Sequence, residues 1–238
     1  MTVRIINADA LEAIAEVGPI DAIITDPPYS SGAIKDAQRQ ARGNGSMSRS
    51  KANPAWFSHD TMTTWSFSWF LRGLLTAART VLTPGAHVYV FSDWRQTPNV
   101  QAAMESAGYR VNHCLVWKKR HYGMGTHWRN QHENILFGSL GQPAAMLKRD
   151  MGTVLDCPNV PNARRWHPTE KPVSLLERIV EAIPGDVICD PFMGSGSTGV
   201  ACKRQGRSFV GIEINPEYCL TAQERIDNER SLFDGVAQ

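Results

Sequence analysis

Short apolar runs alternate with longer amphipathic segments along the chain. The apolar runs are typical of buried strands and predict seven of them, at residues 3–8, 21–25, 86–91, 111–117, 134–138, 186–190 and 208–214. Between the strands we expect helices, such as residues 65–82, which should end at a Thr-Pro-Gly stop and pack Trp65 and Trp69 into the core. Strands that alternate with helices indicate an α/β fold with a mainly parallel, doubly wound sheet.

Length and composition favour a single domain spanning residues 1–238. The hydrophobic fraction is 42%, and no apolar run approaches the roughly 18 residues that a membrane span needs. The first residues lack the features of a signal peptide, so we expect a cytoplasmic protein without a membrane partner. The five cysteines are scattered and never form Cys-x-x-Cys, which argues against a disulfide framework and against a metal site.

Basic residues concentrate in two stretches, although the net charge is only +2. Residues 30–60 show no periodicity and predict a long mobile loop, whose basic side chains include Arg39, Arg42, Arg49 and Lys51. The second basic stretch, residues 118–132, has no acid and contains Lys118, Lys119, Arg120 and Arg129. Either stretch could contact a phosphate backbone, and a solvated loop is the alternative.

The sequence 26-DPPY-29 follows a predicted strand and has an unusual donor pattern. Neither proline has an N–H, so the backbone presents carbonyl oxygens on a rigid loop. Asp26 adds a charged acceptor, and Tyr29 adds a flat ring that can stack on a planar group. The complement of such a surface is a heteroaromatic ring with an exocyclic amino group.

Two acceptors can activate an amino group of this kind, whose lone pair is delocalised into the ring. Asp26 and the carbonyl of Pro27 can hold its two protons and direct the lone pair toward an electrophile. Negative charge nearby stabilises the positive charge that develops on nitrogen. An adenine or cytosine within a duplex would have to be flipped out to reach such a site.

A second motif, 187-VICDPFMGSGSTGVAC-202, is a glycine-rich turn between a strand and a helix. Its G-x-G-x-x-G spacing and Glu213 at the end of the next strand suit a nucleoside ligand. A dinucleotide-binding domain would need several more strands, yet only 39 residues follow Gly199. The earlier part of the chain must therefore complete the sheet, which places Asp26 and Asp190 at strand ends in one site.

The ordered motifs resemble those of the β-class amino-methyltransferases of DNA, which use S-adenosylmethionine. The matches are 26-DPPY-29, 190-DPFMGSGSTG-199, 211-GIEIN-215, 167-HPTEKP-172, 9-DALEAI-14 and residues 116–139, a block similar to the family's segment around the target base. The resemblance covers nearly the whole chain and implies a seven-stranded Rossmann-like sheet with circularly permuted motif order. It also implies S-adenosylmethionine as cofactor and double-stranded DNA as substrate.

The resemblance assigns site residues by position. The catalytic residues are expected to be Asp26, Pro27, Pro28 and Tyr29. The residues expected at the cofactor are Asp9, Ala10, Asp26, His167, Thr169, Lys171, Asp190, Phe192, Gly194, Ser195, Gly196, Ser197, Thr198, Glu213 and Asn215.

The chain departs from larger family members in residues 140–166, where target recognition is expected and where the interval is short. Sequence specificity could therefore be low, or recognition could be shared with residues 30–60 and with a second subunit in a homodimer. The acid at the head of 26-DPPY-29 favours N6-adenine methylation, because N4-cytosine members more often carry serine there. The alternatives are N4-cytosine methylation, an RNA amino-methyltransferase, and a protein that holds cofactor and nucleic acid without turnover. A cognate restriction endonuclease is a further possible partner.

Overall fold

Eight strands form one sheet in the computed structural model, which describes residues 1–28, 62–123, 126–161, 166 and 170–229. They are β1 (Val3–Asn7), β2 (Ile20–Thr25), β3 (Leu82–Ser92), β4 (Arg110–Lys118), β5 (His132–Ser139), β6 (Val154–Asp156), β7 (Val187–Asp190) and β8 (Ser208–Glu213). Their order is β1-β8-β7-β2-β3-β5-β4-β6. Within this sheet β5 is antiparallel to both of its neighbours, and the other paired strands are parallel.

Helices cover both faces of the sheet. They are α1 (Ala10–Ala13), α2 (Thr64–Ala78), α3 (Thr97–Ser106), α4 (Val173–Val180), α5 (Ser197–Arg204) and α6 (Pro216–Asp227), with a 3-10 turn at Ile14–Glu16. Buried residues of α1, α2 and α3 belong to one hydrophobic cluster, and those of α4, α5 and α6 belong to the other. The fold is therefore doubly wound, as the alternation of elements predicts. No helix in the described part of the chain is long and apolar enough to cross a membrane.

Side-chain alternation along the central strands builds the two cores. In β3, Val88 and Val90 point into the first cluster, whereas Tyr89 and Phe91 point into the second. A strand that is buried on both faces has no polar side, which explains why it appears in the sequence as a continuous apolar run. This is the physical basis on which the well-buried strands β2, β3, β5, β7 and β8 are predicted correctly, whereas β1 and β4 are also predicted but are less buried.

The edge strand β6 is an element that the sequence analysis misses. Val154 is 57% exposed and Leu155 is 2% exposed, so the three-residue strand contains too few buried positions for a periodic signal. The indole of Trp117 donates a hydrogen bond of 2.8 Å to the carbonyl of Cys157 just beyond it. Part of the interval 140–166, expected to recognise the target, thus completes the sheet and its core.

The predicted end of α2 is wrong. The helix ends at Ala78, and β3 begins at Leu82, so the Thr-Pro-Gly sequence lies within the strand. Leu82 pairs with Ile20, and the register then shifts before the next pair, which accommodates the proline. The expected burial of two tryptophans is also wrong, because Trp65 is 79% exposed and Trp69 is 67% exposed.

Candidate active site

Two strand ends meet at one edge of the sheet. The strands β2 and β7 are parallel neighbours, and Asp26 directly follows β2 while Asp190 ends β7. Burial raises the pKa of Asp190 to about 7, and the nearby charge of Asp26 contributes to that shift. The structure therefore brings Asp26 and Asp190 together, as predicted from the sequence.

Asp26 is the acid of a buried ion pair with Lys171. Its Oδ2 accepts a hydrogen bond from Nζ of Lys171, whose side chain is only 8% exposed. Its Oδ1 is buried and has no hydrogen-bond partner among the described residues. Burial raises the pKa of Asp26, although the charge of Lys171 opposes this effect. Because an unsatisfied buried acceptor is unfavourable, Oδ1 is the atom at which a donor from a ligand is expected.

The two prolines after Asp26 continue the site. Pro27 is buried and Pro28 is half-buried. Since neither residue has an N–H, their backbone adds no donor that could compete for Oδ1 of Asp26. The structure thus retains the acceptor-only character that the sequence predicts for this turn.

Lys171 has different contacts from those expected of a cofactor-binding residue. Its ammonium lies between two carboxylates, paired with Asp26 and 3.5 Å from Oε2 of Glu133, and 5.3 Å from the centre of the Phe91 ring. Burial alone would lower the pKa of Lys171, but the charges of Asp26 and Glu133 outweigh it and raise that pKa. The structure accordingly places Lys171 at Asp26.

Glu133 is a site residue that the sequence analysis misses. Its Oε1 accepts a hydrogen bond from Lys119, whose Nζ also lies 4.7 Å from the centre of the Trp117 ring. Burial would raise the pKa of Glu133, but the charges of Lys171 and Lys119 lower it. Asp26, Lys171, Glu133 and Lys119 therefore form a row of alternating charges, which we call the charge chain. The pairing of β4 with β5 creates this contact, and no local pattern in the sequence indicates it.

The three glycines of the loop after β7 serve different purposes. A Cβ on Gly196, at φ 83°, would lie 2.7 Å from Cβ of Ala222, and one on Gly199 would lie 2.8 Å from Cε1 of Phe209. These two glycines allow close packing within the fold. Gly194, at φ 51°, has no atom within 4 Å of the position of such a Cβ. Gly194 is thus the glycine of this loop that opens onto free space.

The buried side chain of Asp190 holds the glycine loop in place by hydrogen bonds. Its Oδ2 accepts a hydrogen bond of 2.6 Å from the hydroxyl of Thr198, and its Oδ1 accepts one of 3.1 Å from the N–H of Phe192. The Phe192 ring packs against Phe70 of α2, with 5.8 Å between the ring centres. Both predicted cofactor residues, Asp190 and Thr198, therefore use their side chains to hold the loop.

Glu213 lies beside the open glycine. Its Oε2 accepts a hydrogen bond of 3.0 Å from the N–H of Gly194, and its Oε1 accepts one of 2.8 Å from the N–H of Asn215. Burial raises the pKa of Glu213. Asn215 in turn caps α6 through a bond of 2.9 Å from the N–H of Glu217. Each carboxylate oxygen of Glu213 keeps a further lone pair for a ligand hydroxyl.

Asp9 and Ala10 lie at the same edge, on the neighbouring strand end. The N–H of Ala8 donates a hydrogen bond of 3.2 Å to the carbonyl of Glu213. Asp9 caps α1, since its Oδ1 accepts a bond of 2.8 Å from the N–H of Leu11. Ala10 is buried in the first hydrophobic cluster. The structure therefore places Asp9 close to Glu213, and the carboxylate of Asp9 caps the N-terminus of α1.

A buried ion pair fixes the glycine loop from outside and is also missed by the sequence analysis. The guanidinium of Arg225 lies 2.7 Å from Oε1 of Glu170, and the side chains of the two residues are 13% and 4% exposed. Arg225 also donates to the carbonyl and the hydroxyl of Ser195, at 2.7 and 2.8 Å. The hydroxyl of Ser197 donates to Glu170 at 3.1 Å. Glu170 and Arg225 thereby tie the loop to α6.

The second basic stretch is only partly available to a ligand. Lys118 pairs with Asp156 at 2.7 Å, and Lys119 belongs to the charge chain. Arg120 and Arg129 are exposed. The remaining predicted site residues lie outside the described residues: Tyr29, His167, Thr169 and the basic side chains Arg39, Arg42, Arg49 and Lys51.

Comparison with known proteins decides the family. A family model described as DNA methylase matches residues 20–224. The chain belongs to the DNA methylase family. This DNA methylase is 28% identical over 249 residues to the Type II methyltransferase M2.DpnII of Streptococcus pneumoniae, with 94% of this chain and 90% of that protein covered.

Two solved structures share the fold. The M1.HpyAVI–SAM complex has a TM-score of 0.70 and a sequence identity of 24%, and the match covers 95% of this chain and 100% of that chain. The PvuII DNA methyltransferase, described as cytosine-N4-specific, has a TM-score of 0.72 and a sequence identity of 15%, and the match covers 97% of this chain and 89% of that chain. Both confirm the Rossmann-like methyltransferase fold.

Family membership confirms the resemblance that the motifs indicate. The DNA methylase is an amino-methyltransferase of DNA, and its cofactor is S-adenosylmethionine. The site fits such a ligand, because free space at Gly194 allows close approach to the loop backbone and the carboxylate of Glu213 lies beside it.

Proposed function

We propose that this DNA methylase methylates the N6 amino group of adenine in double-stranded DNA after the base has been flipped out. The proposal is supported above all by Oδ1 of Asp26, which is buried and has no hydrogen-bond partner among the residues that the structure describes, at the sheet edge that also carries the glycine loop. A carboxylate oxygen without a donor is suited to accept a proton of an amino group. The surrounding prolines contribute no competing N–H.

In the proposed mechanism Asp26 and the carbonyl of Pro27 hold the two amino protons. This contact turns the nitrogen lone pair away from the ring plane, and the charge of Asp26 stabilises the positive charge that develops on nitrogen. S-adenosylmethionine supplies an electrophilic methyl group on a sulfonium. Asp26 then accepts the proton that the amino nitrogen releases, a role that suits a carboxyl whose pKa is raised by burial. Tyr29 is proposed to stack on the flipped base.

We propose that the cofactor lies along the glycine loop. The open face of Gly194 admits the ligand, and Glu213 accepts its ribose hydroxyls. Asp190 and Thr198 maintain the shape of the loop from inside through their hydrogen bond. Of the residues outside the described part, His167 and Thr169 are proposed to contact the cofactor as the family motif implies.

The preference for adenine depends on Asp26, because the family's N4-cytosine members more often carry serine at that position. A neighbour described as cytosine-N4-specific shares the fold at 15% identity, which leaves the base open to experiment. The Type II name of M2.DpnII supports a role beside a restriction endonuclease, and a homodimer is proposed as a means of extending the short recognition segment.

Single-molecule sequencing of DNA from cells that express the chain tests the proposal, because it reports the modified base and its context together. We expect N6-methyladenine, together with the sequence context in which it occurs, and no modification with Asp26→Ala. Calorimetry should show that Asp26→Ala changes affinity for S-adenosylmethionine by less than about tenfold, since Asp26 acts on the amino group. N4-methylcytosine would contradict the choice of base, and near-normal methylation by Asp26→Ala would contradict the mechanism.

A further inference from the structure

The connection between β4 and β5 projects from the sheet edge that carries Asp26. The strand β4 is antiparallel to β5, which is antiparallel to β3, so β4 ends at the same edge as β2 and β3. Backbone bonds of 2.8 Å from Lys119 to Gln131 and from Gly123 to Asn130 continue the pairing beyond the strands. At its base Lys119 belongs to the charge chain, which reaches Asp26. We call the described part of this connection, residues 119–123 and 126–131, the catalytic-edge hairpin.

The catalytic-edge hairpin exposes aromatic side chains beyond its base. Trp128 is fully exposed at 102%, and Tyr122 is 56% exposed. The guanidinium carbon of Arg129 lies 3.7 Å from the centre of the Tyr122 ring. Trp117, by contrast, lies in β4 and is 3% exposed. The indole of Trp128 therefore contributes nothing to the core, although it is among the largest apolar surfaces that a side chain can offer.

The positive charge of the catalytic-edge hairpin indicates which kind of partner it binds. Residues 118–132 contain no Asp or Glu, and Arg120 and Arg129 are exposed. A cationic surface with a protruding aromatic ring complements a polyanion with planar, stackable groups, which describes a nucleic acid. Proteins that unstack duplex steps insert such apolar side chains between the bases.

We propose that Trp128 enters the DNA duplex beside the target base and fills the gap in the stack that the flipped base leaves. The Tyr122–Arg129 pair contacts the adjacent backbone. This inference rests on the proposed function, because a gap forms only if the base leaves the helix. Flipping loses stacking and pairing, and an inserted indole offsets part of that loss.

Trp128→Ala tests this role when methylation is measured on two duplexes that contain the context identified by sequencing. The target base is normally paired in one duplex and mispaired in the other, where flipping is easier. We expect kcat/KM to fall about 10- to 100-fold on the paired duplex, as for loss of one stacking contact, and less than about threefold on the mispaired duplex. Trp128→Phe should retain most activity on both.

Trp69→Ala is a matched control, because Trp69 is 67% exposed and lies near an arginine, with the guanidinium carbon of Arg72 5.7 Å from its ring centre. It should leave kcat/KM unchanged on both duplexes. No loss with Trp128→Ala, or equal losses on the two duplexes, would overturn the proposal. Methylation of cytosine by the wild-type protein would contradict the proposed function alone, since the comparison of duplexes applies equally to a flipped cytosine.

Discussion

At the residue scale, the charges of Lys171 and Glu133 act on the pKa of Asp26, the residue proposed to contact the substrate. Lys171 occupies one oxygen of the Asp26 carboxylate and leaves the other unpartnered among the described residues. Removal of one member of a buried ion pair is strongly destabilising, because the partner stays buried without its counter-charge. The charge chain therefore links the protonation of Asp26 to a lysine that the family motif places at the cofactor.

The variant Lys171→Met distinguishes a role of Lys171 in setting the pKa of Asp26 from a role in binding the cofactor. The charge of Lys171 lowers the pKa of Asp26 against the effect of burial, so its loss should raise that pKa further. Because the proposed mechanism needs ionised Asp26, we expect turnover at pH 7 to fall about 10- to 100-fold and the rising limb of the kcat profile to move to higher pH. Measurement of kcat against pH checks this expectation.

Lys148→Met is the control for Lys171→Met, since Lys148 pairs with Glu181 at a surface position and is 51% exposed. Its pH profile should match that of the wild-type protein. If Lys171→Met instead weakens binding of S-adenosylmethionine and leaves the pH profile in place, Lys171 is a cofactor residue, as the motif implies.

At the scale of elements, one glycine of the loop faces free space and another packs against a helix. Gly194 opens onto free space, whereas Gly196 faces Ala222 of α6. We expected from the motif that both would line the cofactor, but the direction of the missing Cβ differs between them. The ion pair of Glu170 with Arg225 holds the loop on the same side as α6.

Alanine at each position should therefore have a different effect. Gly196→Ala places a Cβ 2.7 Å from that of Ala222 at φ 83°, so we expect unfolding to become easier by about 1 to 3 kcal/mol. Gly194→Ala should destabilise less, by about 1 to 2 kcal/mol, because it adds the strain of a left-handed φ of 51° without a steric clash, and it should weaken cofactor binding. Thermal melting and calorimetry measure the two effects, and a reversed pattern would show that the cofactor does not approach Gly194.

At the scale of the whole molecule, one buried carboxyl links stability to pH. The pKa of Asp190 rises from an ordinary value of 3.8 to about 7 in the folded protein, because the group is buried. Between these values the folded state binds more protons than the unfolded state, so stability falls as pH increases. The contribution is fully present below about pH 4 and lost as pH rises through about 7, by up to about 4 kcal/mol.

Asp190→Asn should remove this contribution while preserving a side chain of similar size. We expect the free energy of unfolding of the variant, relative to the wild-type protein, to increase from pH 4 to pH 7. Denaturant unfolding of the cofactor-free protein across that range provides the measurement. Parallel curves for the two proteins would show that Asp190 titrates normally in the fold.

The well-buried strands and the glycine motif follow from local patterns, because a strand buried on both faces and a glycine turn before a helix each have a local signature. The edge strand β6 has no such signature, since only Leu155 of its three residues is buried. The boundary between α2 and β3 was misplaced for a related reason. Pairing of Leu82 with Ile20 extends the strand through a proline that local rules assign to a helix stop.

The sequence by itself determined the α/β class, the family and its cofactor, because these depend on motifs whose residues are close along the chain. It also predicted the joint site of Asp26 and Asp190, because ligands bind at the carboxyl ends of parallel strands. Only the tertiary structure decided which side chains surround Asp26. Lys171 and Glu133 are 145 and 107 positions away from Asp26 in the chain, and the fold brings Lys171 into contact with both Asp26 and Glu133. A buried charge takes its partners from wherever the fold places opposite charge, and that choice has no local signal in the sequence.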